Sequence, residues 1–178
     1  TLTRHARVAI DYADNSNGQI GIYSEDINPY NERRLVLMGE LKKAIDNDSL
    51  ALHYQPIIAC DNGQVVSVEA LLRWQHKTLG FIPPDEFISI AEQTGIMCYL
   101  TRWVFKRALR DHASRKRLFG RSTISINISA VNLHEPDFEE MVLDLLETYD
   151  VQPEELVLEV TETSVMKDPE YAVSALKR

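Results

Sequence analysis

The sequence predicts an α/β fold in which βα units build a largely parallel sheet with helices packed against it. Three observations support this fold class. After an opening hairpin, helical and strand patterns alternate along the chain. Each predicted strand has one clean apolar face that helices could cover. The 178 residues, 44% of them hydrophobic and 26% charged, are enough for one domain with a sizeable core.

The N-terminal 30 residues differ from the rest of the chain. Residues 4–13 are predicted to form a short helix, residues 15–18 a turn, and residues 19–24 an edge strand. The polar residues 25–32 are predicted to be a linker. Because this segment is too short for a domain, we interpret residues 1–30 as the end of a preceding domain plus a linker, and residues 31–178 as a separate unit.

A regular pattern begins at residue 33. A helix is predicted first, because Leu35, Met38, Leu41 and Ile45 recur at helical spacing. Two strands follow at residues 50–58 and 65–74. The Asp-Asn-Gly sequence between them, at residues 61–63, predicts a hairpin.

The second part of the pattern predicts alternating helices and strands. Pro83 and Pro84 precede a helix that should turn Phe87, Ile88 and Ala91 inward and end at Gly95. The remaining predicted elements are a helix at 97–119, a strand at 122–129, a helix at 138–149, a strand at 156–161 and a helix at 169–178.

Composition excludes several classes of function. The formal net charge of −8 argues against binding to long nucleic acid, which needs a basic surface. Cys60 and Cys98 form no C-x-x-C motif and the five histidines form no H-x-x-x-H motif, so zinc sites and disulfide frameworks are not expected. No apolar run reaches the roughly 18 residues of a membrane span. We expect a cytoplasmic location, with any membrane anchor of a parent protein outside this chain.

Polar side chains occupy the second face of each predicted strand. Because side chains alternate along a strand, these groups should converge on the sheet face opposite the helices, at the carboxyl ends of the strands where β/α barrels carry their chemistry. The residues are Gln55, Glu69, Arg73, Asn127 and Glu159.

The chemistry of this set indicates a divalent-cation and phosphate site. Two carboxylates and an amide oxygen are ligands that suit Mg²⁺ or Mn²⁺. The guanidinium of Arg73 matches phosphate geometry. A single polar residue on a buried strand is more often a satisfied core group or an edge position, and this reading remains open for each residue taken alone. Four strands with polar groups at the same end favour a site.

Five segments also carry a family resemblance. They are YQPI at 54–57, EALLRW at 69–74, GFIPPDEFISIAEQTG at 80–95, NIS at 127–129 and LEVTE at 158–162. In this order and spacing they resemble an EAL domain, the cyclic di-GMP phosphodiesterase family, from about residue 35 to residue 178. The N-terminal segment loosely resembles the end of a GGDEF domain, the diguanylate cyclase family.

The resemblance implies a fold, a reaction and a set of site residues. The fold is a TIM-type β/α barrel, incomplete in this chain because such barrels usually need about 250 residues. The reaction is hydrolysis of cyclic di-GMP to linear pGpG with Mg²⁺ or Mn²⁺, in bacterial second-messenger signalling. By resemblance, the metal ligands are Glu69, Asn127 and Glu159, the catalytic carboxylates are Glu69 and Glu162, and the substrate-binding residues are Gln55, Leu71 and Arg73.

The resemblance also sets expectations for the parent protein. Later family motifs, including D-D-F-G-T-G and a catalytic lysine, would lie beyond residue 178, so we expect the chain alone to be inactive. Expected partners are cyclic di-GMP, an upstream GGDEF-like domain in the same parent chain, and a second copy in a homodimer. A non-catalytic EAL-type receptor or scaffold for cyclic di-GMP is the alternative, and an unrelated magnesium-dependent barrel enzyme is a third.

Overall fold

The computed structural model of the chain describes residues 2–15, 20–24, 32–119 and 122–160. The predicted linker at 25–32 lies almost wholly outside these ranges, as does most of the turn at 15–18, and the helix at 169–178 lies outside them entirely. The elements are α1 (Leu2–Asn15), α2 (Glu32–Asp46), β1 (Leu50–Ile58), β2 (Val65–His76), β3 (Gly80–Ile82), α3 (Pro84–Thr94), α4 (Met97–Phe119), β4 (Thr123–Ile128), α5 (Ala130–Leu133), α6 (Phe138–Tyr149), a 3₁₀ helix (Pro153–Glu155) and β5 (Leu156–Val160). Among these helices, none has the length and apolar character that crossing a membrane requires.

The strands form one sheet in the order β1-β2-β4-β5, with β3 paired to the end of β2. The β1–β2 pair is antiparallel, which confirms the predicted hairpin, and the β2–β4 and β4–β5 pairs are parallel. The side chain of Asn62 shapes the hairpin loop, because its Oδ1 accepts a hydrogen bond from the backbone of Gln64 at 2.9 Å. The α/β class with helices between parallel strands is therefore confirmed.

The larger core lies between the sheet and the helices α4 and α6. Ile124, Ile126 and Ile128 of β4 are buried there, together with Phe105 of α4 and Leu145 of α6. The alternating residues of β1, β2 and β5 pack against the same cluster. The apolar faces of the strands are thus covered by helices, as predicted, and the polar residues lie on the opposite face.

A second core joins α2, α3 and the start of α4 to the end of β2. In α2, Leu41 and Ile45 are buried as predicted, but Leu35 and Met38 are 53% and 38% exposed, and Leu37 is buried instead. The predicted inward face of α2 was therefore wrong at two positions. Apolar residues lie on both sides of this helix, so the packing of α3 against it decides which side is buried.

The helix α3 follows the prediction closely. It begins at Pro84, and Gly95 ends it in the left-handed conformation with φ of 71°. Phe87 and Ala91 are buried as predicted, Ile88 is half-buried, and Ile90 fills the inward position beside them.

The N-terminal segment contains α1, which confirms the predicted helix, but no strand over residues 20–24. Here the predicted edge strand was wrong. Gly21 lies against the carbonyl oxygen of Ala9, with no room for a Cβ atom. The rings of His5 and Tyr23 stack with centroids 3.9 Å apart. Packing against α1 therefore replaces pairing into a sheet.

The turn after β2 is held by a buried histidine. The Nδ1 atom of His76 accepts hydrogen bonds from the backbone of Thr78 at 3.3 Å and of Leu79 at 3.2 Å. Its Nε2 atom lies 2.8 Å from Oε2 of Glu40 on α2. Because Nδ1 accepts, the ring proton is on Nε2 and is donated to the carboxylate. This ring connects α2 to the turn that leads into β3.

Candidate functional site

The predicted polar residues lie on neighbouring strands of the sheet. Gln55 on β1 is directly opposite Glu69 on β2. Glu69 is aligned with Ser125 on β4, and Asn127, two residues further on, is aligned with Glu159 on β5. Since adjacent strands are about 4.8 Å apart, the register places the four predicted residues in two successive rows on the face away from the helices, with Gln55 beside Glu69 and Asn127 beside Glu159.

A direct hydrogen bond joins two of the predicted metal ligands. The Nδ2 atom of Asn127 donates to Oε1 of Glu69 at 2.7 Å. Glu69 is half-buried and Asn127 is exposed. A carboxylate that accepts from an amide is held in one orientation, and its second oxygen remains open toward the polar face. This pair is the most sharply defined feature of the site.

Glu159 and Gln55 flank this pair. Glu159 is half-buried beside Asn127, and Gln55 is exposed beside Glu69. Over the described residues, neither forms a side-chain hydrogen bond with the central pair. Glu162 lies outside the described residues, so its predicted role remains a prediction.

Arg73 and Leu71 line a cavity of about 350 Å³ near the carboxyl end of β2. The Nη1 atom of Arg73 donates to the carbonyl oxygen of Leu72 at 2.9 Å. Within the described ranges no carboxylate forms an ion pair with it. Asn127 and Ser129 border the same cavity, and helices α3 and α4 form its other wall. The arrangement leaves the guanidinium able to bind an anion in this cavity.

Behind Asn127 lies a hydrogen-bonded group that was not predicted from the sequence. The hydroxyl of Ser129 donates to Oε1 of Glu92 on α3 at 2.5 Å. The buried side chain of Asn132 donates to Oγ1 of Thr101 on α4 at 2.9 Å. Ser129 and Glu92 occur within the quoted motifs. The helical pattern was used only to place Phe87, Ile88 and Ala91 inward, and it carries no signal for a contact between Glu92 and the end of a strand.

The donor atoms of the central site suit a hard cation. They are carboxylate and amide oxygens, which Mg²⁺ and Mn²⁺ prefer. The described residues contain no group of three or more His, Cys, Asp or Glu side chains placed to hold a metal ion. Two carboxylates and one amide are therefore what this part of the chain offers, and the hydrogen bond from Asn127 keeps Glu69 oriented without a cation.

A smaller cavity of about 230 Å³ lies on the helix-facing side of the sheet. Tyr54 borders it and donates to Oδ2 of Asp111 at 3.0 Å, and Arg107 donates to the same oxygen at 3.0 Å. Burial and the negative charge of Asp111 raise the pKa of Tyr54. Burial acts to raise the pKa of Asp111, but hydrogen bonds from Arg107 and Tyr54 outweigh it, and this pKa lies below its ordinary value. This network is remote from the polar face.

Comparison with known proteins identifies similar sequences that are much longer. The bifunctional diguanylate cyclase/cyclic di-GMP phosphodiesterase MucR of Pseudomonas aeruginosa is 33% identical over 159 residues, covering 88% of this chain and 23% of that protein. The cyclic di-GMP phosphodiesterase NbdA of the same organism is 38% identical over 82% of this chain and 19% of that protein. The cyclic di-GMP phosphodiesterase PdeR of Escherichia coli is 33% identical over 99% of this chain and 27% of that protein. The chain thus spans about a quarter or less of these relatives.

Solved structures give the same family. The MucR phosphodiesterase in complex with cyclic di-GMP superposes with a TM-score of 0.74 at 33% identity, covering 80% of this chain and 58% of that one. The FimX EAL domain of Xanthomonas citri, also in complex with cyclic di-GMP, has a TM-score of 0.70 at 26% identity, covering 82% of this chain and 56% of that one. The predicted TIM-type barrel fold is confirmed by these neighbours. The family model for the EAL domain matches residues 38–178. The chain therefore belongs to the EAL domain family.

Proposed function

We propose that this chain forms part of a metal-dependent cyclic di-GMP phosphodiesterase, which hydrolyses one phosphodiester bond of its substrate to give linear pGpG. The observation that carries the proposal is the Asn127–Glu69 hydrogen bond of 2.7 Å, with Glu159 next to Asn127 in register. It brings the oxygen donors of three strands together on one face. Three relatives named as cyclic di-GMP phosphodiesterases, MucR, NbdA and PdeR, support the choice of substrate.

The proposed roles follow from the position of each side chain. Glu69, Asn127 and Glu159 would hold Mg²⁺ or Mn²⁺, because their oxygens are on adjacent strands. When bound, such a cation stabilises the negative charge that develops on the reacting phosphate oxygens. Arg73 would bind a phosphate group of the dinucleotide from within the cavity that it lines.

Two further side chains are proposed to contact the substrate, Leu71 and Gln55. Leu71 lines the same cavity as Arg73 and would pack against the dinucleotide. Gln55 lies beside Glu69 and can offer both a donor and an acceptor. Glu162 is proposed as a further catalytic carboxylate that supports an active-site loop. The parent protein is proposed to carry an upstream GGDEF-like domain. The analogy is with MucR, which is named as both a diguanylate cyclase and a cyclic di-GMP phosphodiesterase.

The test is a hydrolysis assay on the longer protein that we propose contains this chain. With Mg²⁺ or Mn²⁺ it should convert cyclic di-GMP to pGpG, and a chelator should stop the reaction. Glu69→Ala should lower turnover by more than about 100-fold, beyond the loss typical of groups that only support a metal ligand. Glu147→Ala, which removes an exposed carboxylate on α6, is the matched control and should keep normal turnover.

The same experiment separates the enzyme from the receptor. If calorimetry shows that cyclic di-GMP binds, but no pGpG forms with either Mg²⁺ or Mn²⁺, the non-catalytic alternative is favoured. Strong turnover in the chelator, or near-normal turnover of Glu69→Ala, would contradict the proposed site.

A further inference from the structure

The chain turns sharply directly after Asn127. Ser129 is the N-cap of the four-residue helix α5. Its hydroxyl accepts a hydrogen bond from the backbone of Val131 at 3.3 Å, and its own backbone N–H donates to Oδ1 of Asn132 at 3.0 Å. Both bonds are local, and together they fix the conformation of the β4–α5 corner. The placement of this corner relative to the rest of the protein requires contacts from other elements.

Two helices supply those contacts. From α4, the hydroxyl of Thr101 accepts a hydrogen bond from the fully buried side chain of Asn132 at 2.9 Å. From α3, the carboxylate of Glu92 accepts the hydroxyl proton of Ser129 at 2.5 Å. An O–H donor and a carboxylate at this distance form a charge-assisted bond, which is shorter and stronger than a bond between neutral groups.

Glu92 is an unusual source for such a short bond, because its side chain is exposed. It lines the 350 Å³ cavity together with Arg73 and Asn127. A helix of this size gains little stability from one exposed polar contact. The bond instead restrains a strand end that carries a proposed ligand, and α3 provides a rigid base because Phe87, Ile90 and Ala91 are buried beneath it.

We propose that Glu92 is a positioning residue that acts through Ser129 to hold Asn127 against Glu69. Ser129 is two residues beyond Asn127 and lines the same cavity, so a shift of Ser129 moves the amide relative to the carboxylate. This inference rests on the proposed function only in treating Asn127 and Glu69 as cation ligands. The hydrogen bond between them can be measured without any catalytic assay.

The variants separate positioning from simple stabilisation. Glu92→Ala and Ser129→Ala remove the bond from either side, whereas Glu92→Gln keeps an acceptor oxygen for the hydroxyl of Ser129. Glu86→Gln is the matched control on the same helix. It weakens the ion pair of Glu86 with Arg33, at 2.8 Å, and leaves the β4–α5 corner untouched.

The readout is the side-chain amide of Asn127 in ¹H–¹⁵N spectra of the protein, assigned with Asn127→Ala, followed by titration with Mg²⁺. Glu92→Ala and Ser129→Ala should move the Asn127 amide signals away from their wild-type positions and weaken Mg²⁺ binding by about 10- to 100-fold, the range typical of groups that orient metal ligands. Glu92→Gln should restore both properties toward wild type, and Glu86→Gln should leave both unchanged.

The proposal is overturned if the Asn127 signals stay in place in folded Glu92→Ala and Ser129→Ala proteins. It is equally overturned if Glu86→Gln moves them as much. Should Glu92→Ala fail to fold, Glu92→Gln and Ser129→Ala decide the question by the same signals. If the signals move as expected but the wild-type protein does not hydrolyse cyclic di-GMP, the positioning role stands and the proposed function fails.

Discussion

Replacing Asn132 with alanine tests the part of the site framework that is buried most deeply. The side chain of Asn132 is fully buried. Its Oδ1 accepts from the backbone of Ser129 at 3.0 Å, and its Nδ2 donates to Oγ1 of Thr101 at 2.9 Å and to Oε1 of Glu135 at the longer distance of 3.5 Å. Asn132→Ala removes all three hydrogen bonds at once and leaves a small space where the amide was.

The expected cost is about 3 kcal/mol of the free energy of unfolding. The backbone N–H of Ser129 loses its partner in the interior, at about 1 to 3 kcal/mol. The hydroxyl of Thr101 can turn to a carbonyl oxygen of its own helix, so its loss adds little. Loss of packing around the deleted amide adds about 1 kcal/mol. Thr101→Val removes only one neutral hydrogen bond and should cost about 1 kcal/mol.

The assay is urea denaturation followed by circular dichroism, at one fixed protein concentration because association would change the apparent stability. Asn132→Ala, Thr101→Val and the double variant form a cycle. Because the 2.9 Å bond is lost in each single variant, the double variant should be about 1 kcal/mol more stable than the sum of the single effects predicts. A cost for Asn132→Ala below about 1 kcal/mol, or simple additivity, would refute the reasoning.

Three further predictions follow from other features. The pKa of Asp111 is lower in the folded than in the unfolded state, so its stabilising effect is present above about pH 4 and is lost as the pH falls. Tyr54→Phe should make the urea midpoint less dependent on pH between pH 6 and pH 3, and an unchanged dependence would contradict this. Gly95→Ala should cost about 1 kcal/mol because φ is +71°, whereas Gly39→Ala inside α2, where a Cβ meets no atom within 4 Å, should stabilise slightly; equal melting shifts would refute this. The described sheet pairs β1 and β5 on one side only, so the chain should associate in light scattering; a dilution-resistant monomer would contradict this expectation.

Most of the strands and long helices could be predicted from sequence because each has a strong local signal. The strand β1, the helix α4 and the helix α6 have the predicted bounds. The elements that were missed are short: β3 has three residues and α5 has four, too few for a period to be visible. At residues 19–24 a strand was predicted that the structure does not form over residues 20–24. Alternation of apolar and polar residues is not sufficient for a strand, which also needs a neighbouring strand to pair with.

For the candidate site, the sequence predicted which residues share a face of the sheet, but not the contacts between them. Alternation placed Gln55, Glu69, Asn127 and Glu159 on one face, and the register agrees. The bond between Asn127 and Glu69 could not be predicted, because it depends on how far β4 is shifted along β2. Glu92 was missed because its partner Ser129 is 37 residues away and is brought near only by the packing of α3 against α4 and β2.

The buried ring of His76 has a consequence for the motions of this protein. Its Nδ1 atom accepts from the turn at Thr78 and Leu79 and its Nε2 atom binds Glu40, so one ring connects that turn to α2. The two regions should therefore open together as one cooperative unit. In hydrogen exchange, the backbone amides of Thr78 and Leu79 should share the opening free energy of the inner turns of α2, even though the turn itself lies near the surface.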